Sequence, residues 1–424
     1  MLEQPYFGRR LRRLRLERGM SQAGLVGEGL STAYLSRLES GERPPTERAV
    51  AYLAQRLGVE ESALAGPSER RSLTEVLAAV ASAPSSTDET AALSRAVEED
   101  TREDPAARWQ ALWLLSRAHG RDGDHERERV RLLEAIELSG LLQAAELRVR
   151  SHVQYARCLR ALGDMHRAEP AAREALSIAR AEQLPVSDTM AALMVLISIE
   201  TELGRLETAG RHVKELERDL LPEAGPAQAA EALWTAAVVS NRQGDHATAR
   251  SRLEQALQLP QCQPDVAFWA WLRAAATAAA LQMSPPHVDA AERWLSEAAS
   301  VLAVIGTPLQ RQELRALQAH LAFQKGELDE ARALSHALLS ESDLRLSYRD
   351  KVRLSVLHGR LMILAGSVDD GIATLQELGR QAADSKNLDL SAHIWQTLAT
   401  TLADVHASSS TGGSVRASTG AGAG

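Results

Sequence analysis

Helix-breaking residues recur through most of this chain at an almost constant interval. Breaks fall 40 to 42 residues apart, at Gly123-Asp124, Gly163-Asp164, Gly204-Arg205, Gly244-Asp245, Ser284-Pro285, Gly326-Glu327 and Gly366-Ser367. Repetition with a period of about 20 to 50 residues is typical of solenoids, in which each repeat packs on its neighbours. The period therefore excludes one conventional core for this segment and predicts a stack of similar units.

Small residues flank these breaks at fixed distances. Seven positions before the break stand Ser116, Ala156, Ala237, Thr277, Ala319 and Gly359, with Ile197 as the exception. Five positions after the break stand Ala168, Ala209, Ala249, Ala331 and Gly371. Small side chains let two antiparallel helices approach closely. Because only 4% of the residues are aromatic while 45% are hydrophobic, Ala, Leu and Val must build the core, which favours helices over strands.

Residues 1–66 lack this period and predict a separate unit of five short helices. We expect helices over 7–18, 22–28, 32–39 and 46–57, and a short one near 60–64. Ser21 and Ser31 are good N-caps for the second and third helices, while Gly19 and Gly41 end the first and the third. The third helix exposes small polar and basic side chains, which suits insertion into the major groove of DNA.

The charge distribution agrees with a DNA contact confined to this first unit. Residues 1–66 contain ten Arg and eight Glu, a balance of +2, although the whole chain carries a net charge of −8. A weakly basic head on an acidic remainder directs DNA toward the head.

The first unit resembles the XRE-type, lambda-repressor-like helix-turn-helix. The resemblance rests on Arg15, Ser21, Gln22, Leu25, Ser31, Tyr34, Leu35, Ser36, Leu38, Glu39, Gly41 and Pro45. In one departure, the stretch between Gln22 and Ser31 is one residue shorter than the common form and contains Gly24, Gly27 and Gly29.

This resemblance implies roles for individual residues and a double-stranded DNA operator as partner. Arg15 and Glu39 would form a buried ion pair between the first and third helices. Gln22 would bind a phosphate, and Arg43 would lie on the phosphate backbone. Thr32, Ala33 and Arg37 would face the base edges, and Tyr34 and Ser36 would flank them.

The 40-residue units resemble tetratricopeptide (TPR) repeats in an elongated form, which implies a right-handed α-solenoid. A helix-turn-helix followed by such repeats is similar to the RRNPP class of peptide-sensing bacterial regulators and to actinobacterial XRE–TPR regulators. That class often holds a peptide backbone with Asn residues on its inner face. This chain has only Asn241 and Asn387.

Counting back from each break places certain residues on the concave inner face, at positions 13, 10, 6, 3 and 2 before it. The resulting ligand-binding candidates are Trp113, Arg117, Arg150, Arg157, Arg160, Trp234, Asn241 and Arg242. The same register contains Trp271, Glu313, His320, Phe323, Arg353 and Arg360. One interpretation is a pocket for an acidic ligand with Trp walls. The alternative is packing between successive turns of the superhelix, with surface arginines.

The sequence favours neither catalysis nor a metal or cofactor. It has no glycine-rich phosphate loop ending in Lys-Ser/Thr, no His-Glu-x-x-His and no Gly-x-Ser-x-Gly. Cys158 and Cys262 are not in metal-ligand spacing and do not suggest a disulfide framework. No signal peptide or membrane span is visible, so we expect a cytoplasmic protein.

The predicted organisation is a DNA-binding domain over 1–66, a linker and first hairpin over 67–104, repeats over 105–407 and a disordered tail over 408–424. We expect the last helix to cover 388–406. The predicted function is transcription regulation by a homodimer whose repeats sense a peptide or a small acidic molecule. In the alternative, the repeats hold a partner protein and the head anchors that assembly to DNA.

Overall fold

A computed structural model describes residues 4, 6–27, 30–65, 73–82, 87–100, 104–259 and 265–416. All regular secondary structure in these ranges is helical, which confirms the all-α prediction. The chain divides into two compact units, Met1–Glu103 and Asp104–Gly424.

The first unit begins with the five predicted helices. These are α1 (Tyr6–Glu17), α2 (Gln22–Leu25), α3 (Thr32–Glu39), α4 (Glu47–Leu57) and α5 (Glu61–Ala65). The capping prediction holds at both serines, because Ser21 Oγ accepts from the amide of Gly24 and Ser31 Oγ accepts from the amide of Tyr34. Two further helices, α6 (Leu73–Ser82) and α7 (Thr87–Glu99), pack on each other.

Helix α2 is shorter than predicted. It ends at Leu25 instead of residue 28, because Val26 is already extended, with φ −85° and ψ 158°. Glycines at 24 and 27 weaken the helix locally. A Cβ at Gly27 would lie 2.4 Å from the hydroxyl of Tyr52, so that side chain would have to shift.

A small apolar core holds these helices together. Its fully buried members include Leu11, Leu25, Leu35, Leu38 and Leu53. Helices α1 and α3 touch closely at Gly8, where a Cβ would lie 2.1 Å from the carbonyl oxygen of Leu38. This core fixes the orientation of α3, whose outer face is discussed below.

The second unit is a succession of antiparallel helix pairs. The first three pairs are α8 (Pro105–Asp122) with α9 (His125–Leu141), α10 (Ala145–Ala161) with α11 (Met165–Ala181), and α12 (Val186–Glu202) with α13 (Leu206–Glu215). The next four are α14 (Pro226–Arg242) with α15 (His246–Gln258), α16 (Val266–Leu281) with α17 (Val288–Ile305), α18 (Pro308–Gln324) with α19 (Leu328–Leu339), and α20 (Tyr348–Leu364) with α21 (Val368–Asp384). The last helix is α22 (Leu388–Arg416).

The predicted breaks lie at the turns inside these pairs. The break glycines have positive φ values between 74° and 97°, a conformation that glycine adopts without steric cost: Gly123, Gly163, Gly204, Gly244, Gly326 and Gly366. The small residues on either side of each break are buried between the paired helices. At Gly371, a Cβ would lie 2.7 Å from the carbonyl oxygen of Gly359. Six of the seven pairs therefore share a left-handed glycine at the turn, while the fifth pair turns at Ser284-Pro285 without one.

Early and late pairs of the solenoid also touch each other. Helix α8 contacts α18, and α12 contacts α22. The hydroxyl of Thr307 donates to the carbonyl of Arg121, and Arg345 donates to the carbonyl of Asp122. The superhelix therefore curves tightly enough for its inner face to enclose a space.

The C-terminal helix is longer than predicted, since α22 runs to Arg416 instead of ending near residue 406. Adding a residue to an existing helix is much easier than starting one. Residues 417–424 of the expected disordered tail lie outside the described residues, as does Cys262. Within the described parts of the chain, no helix is both long enough and apolar enough to cross a membrane.

Candidate DNA-reading face and ligand cavity

A buried ion pair joins α1 to α3, at the two positions that the resemblance implied. Arg15 Nε lies 2.6 Å from Glu39 Oε1, and Arg15 Nη2 donates to Glu39 Oε2 at 2.9 Å. Burial alone would raise the pKa of Glu39, but the hydrogen bonds from Arg15 and Gln22 outweigh it, so the net pKa is lowered. The pair is therefore charged at neutral pH and fixes the angle between the two helices.

Gln22 has a different contact from the one implied. Its side-chain amide donates to Glu39 Oε2 at 2.8 Å, so it is the third member of the buried pair. One hydrogen of the Gln22 amide donates inside the domain, so only the second amide hydrogen is left to donate to a phosphate.

The outer face of α3 is open to solvent. Four of the residues expected near DNA are exposed, namely Thr32, Ala33, Ser36 and Arg37, while Leu35 and Leu38 between them are fully buried. The guanidinium of Arg37 has no partner among the residues that the structure describes. Short side chains at the helix start, followed one turn later by a free arginine, can approach base edges in the major groove.

Tyr34 and Arg43 form the flank of this face. The Arg43 guanidinium lies 4.9 Å from the centre of the Tyr34 ring, and Tyr34 is half-buried. The backbone carbonyl of Arg43 also accepts from the side chain of Gln4, at 2.6 Å. Arg43 is thus held beside α3, where its charge can meet a phosphate.

Three arginines predicted to hold an anion on the inner face instead have protein partners. Their ion pairs, with nitrogen-to-oxygen distances of 2.9, 2.8 and 3.1 Å, are Arg150 with Asp188, Arg157 with Glu231, and Arg160 with Glu202. Each carboxylate comes from the following repeats, which the superhelical curvature brings opposite α10. These contacts favour the packing alternative for all three arginines.

Trp113, Arg117 and Asn241 also lie outside the cavity described below. Trp113 stacks on Trp109 with ring centres 5.5 Å apart, and Arg117 lies over the Trp113 ring. The side-chain oxygen of Asn241 is 2.7 Å from Nδ1 of His246. The structure thus separates these residues from Trp234 and Arg242, which had the same predicted role.

A cavity of about 450 Å³ lies on the inner face of the later repeats. Its lining comes from α14, α16, α18, α20 and α22, and several lining residues follow the inner-face register: Trp234, Arg242, Trp271, Glu313, His320, Phe323, Arg353 and Arg360. A volume of this size falls within the range of about 300 to 1,000 Å³ that is common for small-molecule sites.

Aromatic rings form one wall of the cavity. Trp234 and Trp271 meet edge to face with ring centres 5.2 Å apart, and the Arg360 guanidinium lies 4.6 Å from the centre of the Phe323 ring. The neighbouring Ala274 and Ala278 leave room in front of these rings. This wall can contact an apolar or aromatic body.

The polar side of the cavity is crowded with arginines. Gln282 Oε1 accepts from Arg353 Nη2 at 2.6 Å and from Arg242 Nη2 at 3.1 Å. Arg349, next to the cavity, pairs with Asp389 and lies 3.5 Å from Glu202. Sequence reasoning missed Gln282, Arg349 and Asp389, since each acts through a contact between distant repeats.

Among the titratable groups that line the cavity, Glu313 and His320 have strongly shifted pKa values. Burial, and then the nearby charge of Asp350, raise the pKa of Glu313 to about 8. Burial, and then the positive charge of Arg353, lower the pKa of His320 to about 4. Both side chains are therefore mainly uncharged at neutral pH.

A second group of polar residues lies between α9 and α10, where one ligand atom each of His125, Glu128 and Cys158 comes within 4.8 Å of the others. His125 Nδ1 lies 2.8 Å from Glu128, which also accepts from Gln154, and the Cys158 thiol donates to the carbonyl of His125. Burial raises the pKa of Cys158, which opposes the thiolate form that binds metals. We interpret this group as a hydrogen-bonded link between two helices.

Comparison with known proteins gives matches over both units. Residues 7–65 match a model described as a helix-turn-helix domain, and residues 76–386 match the model of the MalT-like TPR region. A search of curated protein sequences found no match.

Two solved structures share the helical architecture at low sequence identity. A Rap protein complexed with competence and sporulation factor is 11% identical, covers 94% of this chain and 98% of its own, and has a TM-score of 0.51. The Rap conjugation gene regulator of plasmid pLS20, in complex with the Phr* peptide, is 11% identical, covers 89% of this chain and 97% of its own, and has a TM-score of 0.53. At this identity the likeness concerns the fold alone.

Proposed function

The chain belongs to the MalT-like TPR family and carries a helix-turn-helix domain ahead of its repeats, and from this premise we propose that it is a DNA-binding transcription regulator that senses a ligand. The observation that carries the proposal is the outer face of α3. There Arg37 is free while Arg15 and Glu39 hold the helix in place from within.

In this proposal α3 enters the major groove with its N-terminal end toward the bases. Thr32, Ala33 and Arg37 face base edges, with Tyr34 and Ser36 beside them. Arg43 and the remaining amide hydrogen of Gln22 contact phosphates and set the register of the helix on the duplex.

We assign sensing to the cavity in the later repeats. The cavity is partly enclosed, has an aromatic wall and contains arginines, a combination suited to a small ligand or a short peptide. One of the two similar folds was solved with a peptide, the Phr* peptide of the pLS20 regulator, which is a precedent for a peptide in a protein of this architecture.

The regulator would act as a homodimer. One such head makes few base contacts, and two related by a twofold axis would bind half-sites about one DNA turn, or 34 Å, apart. A ligand that favours one dimer geometry would change operator affinity by the ratio of its affinities for the two geometries. No catalytic step is part of this proposal.

The test is selection of bound sequences from random DNA by the full chain. We expect an enriched motif with twofold symmetry and half-sites about ten base pairs apart. A matched control carries the substitution Arg127→Ala, since Arg127 is exposed on the solenoid and far from the α3 face in sequence. Recovery of no motif above the random background would contradict the proposal.

A further inference from the structure

Two guanidinium groups converge on one neutral oxygen inside the cavity. Arg353 and Arg242 both donate to the side-chain oxygen of Gln282, at 2.6 and 3.1 Å. We propose that the cavity binds a compact ligand in which a carboxylate is joined to an apolar or aromatic body, with the carboxylate between Arg353 and Arg242. This inference rests on the proposed function, because it names the ligand class of the sensing repeats.

The charges around this point are incompletely matched. Arg242 lies 3.5 Å from Asp389, which also binds Arg349, and Arg349 reaches Glu202. No carboxylate of the described residues lies within ion-pair distance of Arg353. Arg353 is half-buried in a partly enclosed space, where a guanidinium without an anionic partner is unfavourable, and a ligand carboxylate would supply that partner.

The neighbouring acids and bases leave the position open to an anion. Glu313 carries a proton at neutral pH, because its pKa is raised to about 8, so it does not repel a carboxylate. His320 is neutral as well. The carboxylate of Asp350 also lines the cavity, where it accepts a hydrogen bond from Ser347 at the start of α20. Burial and the neighbouring charges of Arg349 and Arg242 lower the pKa of Arg353, and a ligand carboxylate at the convergence point would offset this by favouring the charged guanidinium.

The rest of the lining defines the body of the ligand. Trp234, Trp271 and Phe323 offer ring faces and edges, and Ala274 and Ala278 keep the space in front of them free. A volume of about 450 Å³ suits a molecule with one or two rings or a short alkyl chain. Such a carboxylate has two sources, a small organic acid or the C-terminus of a short apolar peptide.

Calorimetric titration of the full chain without DNA tests the proposal. The probes are phenylacetate, indole-3-acetate and decanoate, the peptide Leu-Leu-Leu-Phe, and the amide of each. We expect at least one free carboxylate to bind with one molecule per chain, at least tenfold more tightly than its amide. Binding of the organic acids identifies a small acid as the source, while binding of the peptide alone identifies a C-terminus.

Variants locate the carboxylate. We expect Arg353→Gln to weaken binding of the free acid at least tenfold and to leave the weak binding of the amide unchanged. Arg353→Lys keeps the charge but loses the planar pair of donors, so its effect should be smaller. The matched control is Arg157→Gln, which removes an inner-face arginine outside the cavity and should not change acid binding. Circular dichroism checks that each variant is folded.

Three outcomes would overturn the inference: equal binding of acids and amides, acid binding by folded Arg353→Gln and Arg353→Lys that equals the wild type, or no binding of any probe at millimolar concentration. DNA selection with the ligand-free protein separates this result from the proposed function. A symmetric DNA motif without acid binding rejects the carboxylate site alone, whereas acid binding without any DNA motif rejects the regulator.

Discussion

Arg157 on α10 lies 2.8 Å from Glu231 on α14, although 74 residues and one complete helix pair separate them in the chain. The contact skips the third pair, so it reports the curvature of the superhelix and not the packing of adjacent repeats. Arg160 pairs instead with Glu202 of the adjacent third pair. The positive inner face of α10 is thus neutralised within the protein, and a ligand anion has to be bound elsewhere.

The Arg157–Glu231 pair should contribute modestly to stability. Both side chains are about a third exposed, so solvent screens the attraction. In a double-mutant cycle of Arg157→Ala and Glu231→Ala, we expect a coupling free energy of about 0.5 to 1 kcal/mol from urea unfolding. A coupling near zero would mean that the pair does not contribute to stability.

Removal of Glu39 should unfold the DNA-binding unit. Glu39→Ala leaves Arg15 buried and unpaired, which typically costs about 3 to 5 kcal/mol. We expect the unfolding transition of the first unit to move to much lower temperature in calorimetry, while the solenoid transition stays in place. The control is Glu17→Ala, since Glu17 pairs with Arg13 at the exposed surface. An unchanged first transition together with lost DNA binding would instead assign Glu39 to the DNA contact.

Arg37 should read a base and not only a phosphate. On the selected operator, Arg37→Ala should weaken binding by about 1 to 3 kcal/mol and relax the sequence preference at one position of each half-site. Arg43→Ala should weaken specific and random DNA alike. Equal losses on both kinds of DNA for Arg37→Ala, measured by fluorescence anisotropy, would reduce Arg37 to a phosphate contact.

Glu313 should make stability depend on pH. Its pKa is about 8 in the folded chain against an ordinary value of 4.5, so the folded state keeps a proton that the unfolded state releases. Folding is therefore progressively disfavoured as pH rises from about 4.5 to 8. The variant Glu313→Gln lacks this titration, and its melting temperature relative to the wild type should rise by a few degrees between pH 5 and pH 8.

Glu341 offers a control of opposite sign for this measurement. A hydrogen bond from Arg315 lowers the pKa of Glu341. The ionised Glu341 therefore stabilises the fold above its ordinary pKa of 4.5, and this contribution is lost only as the pH falls below that value. The melting temperature of Glu341→Gln should differ from that of the wild type by a constant amount between pH 5 and pH 8. If the difference in melting temperature between Glu313→Gln and the wild type is also independent of pH, Glu313 is ionised in the folded protein.

The chain should form a dimer through its repeats. Light scattering of the full chain at micromolar concentration should give twice the monomer mass of 45.9 kDa. A chain beginning at residue 68 should still dimerise. If only the full chain is dimeric, the contact belongs to the DNA-binding unit, and a monomer in both cases would remove the twofold operator from the proposal.

Local patterns in the sequence determined most of the secondary structure and the register of the repeats, although α2 ends earlier than predicted and α22 later. Left-handed turn positions favour glycine, and close helix pairs favour small residues, so the breaks and their flanking alanines can be read directly from the chain. The same counting placed Glu313, His320 and Arg353 on the inner face, where the structure has them lining the cavity. Ser21 and Ser31 likewise determined where α2 and α3 begin.

Only the tertiary structure decided which inner-face residues share a site. The pitch of a superhelix is the sum of many small rotations between neighbouring pairs, and no single residue encodes it. That sum brings Glu231 to Arg157 and Asp389 to Arg242, while Arg353 is left with the neutral side chain of Gln282. Arginine at a given position of a repeat therefore predicts a face of a helix, but the carboxylate opposite it, or the lack of one, depends on residues many turns away.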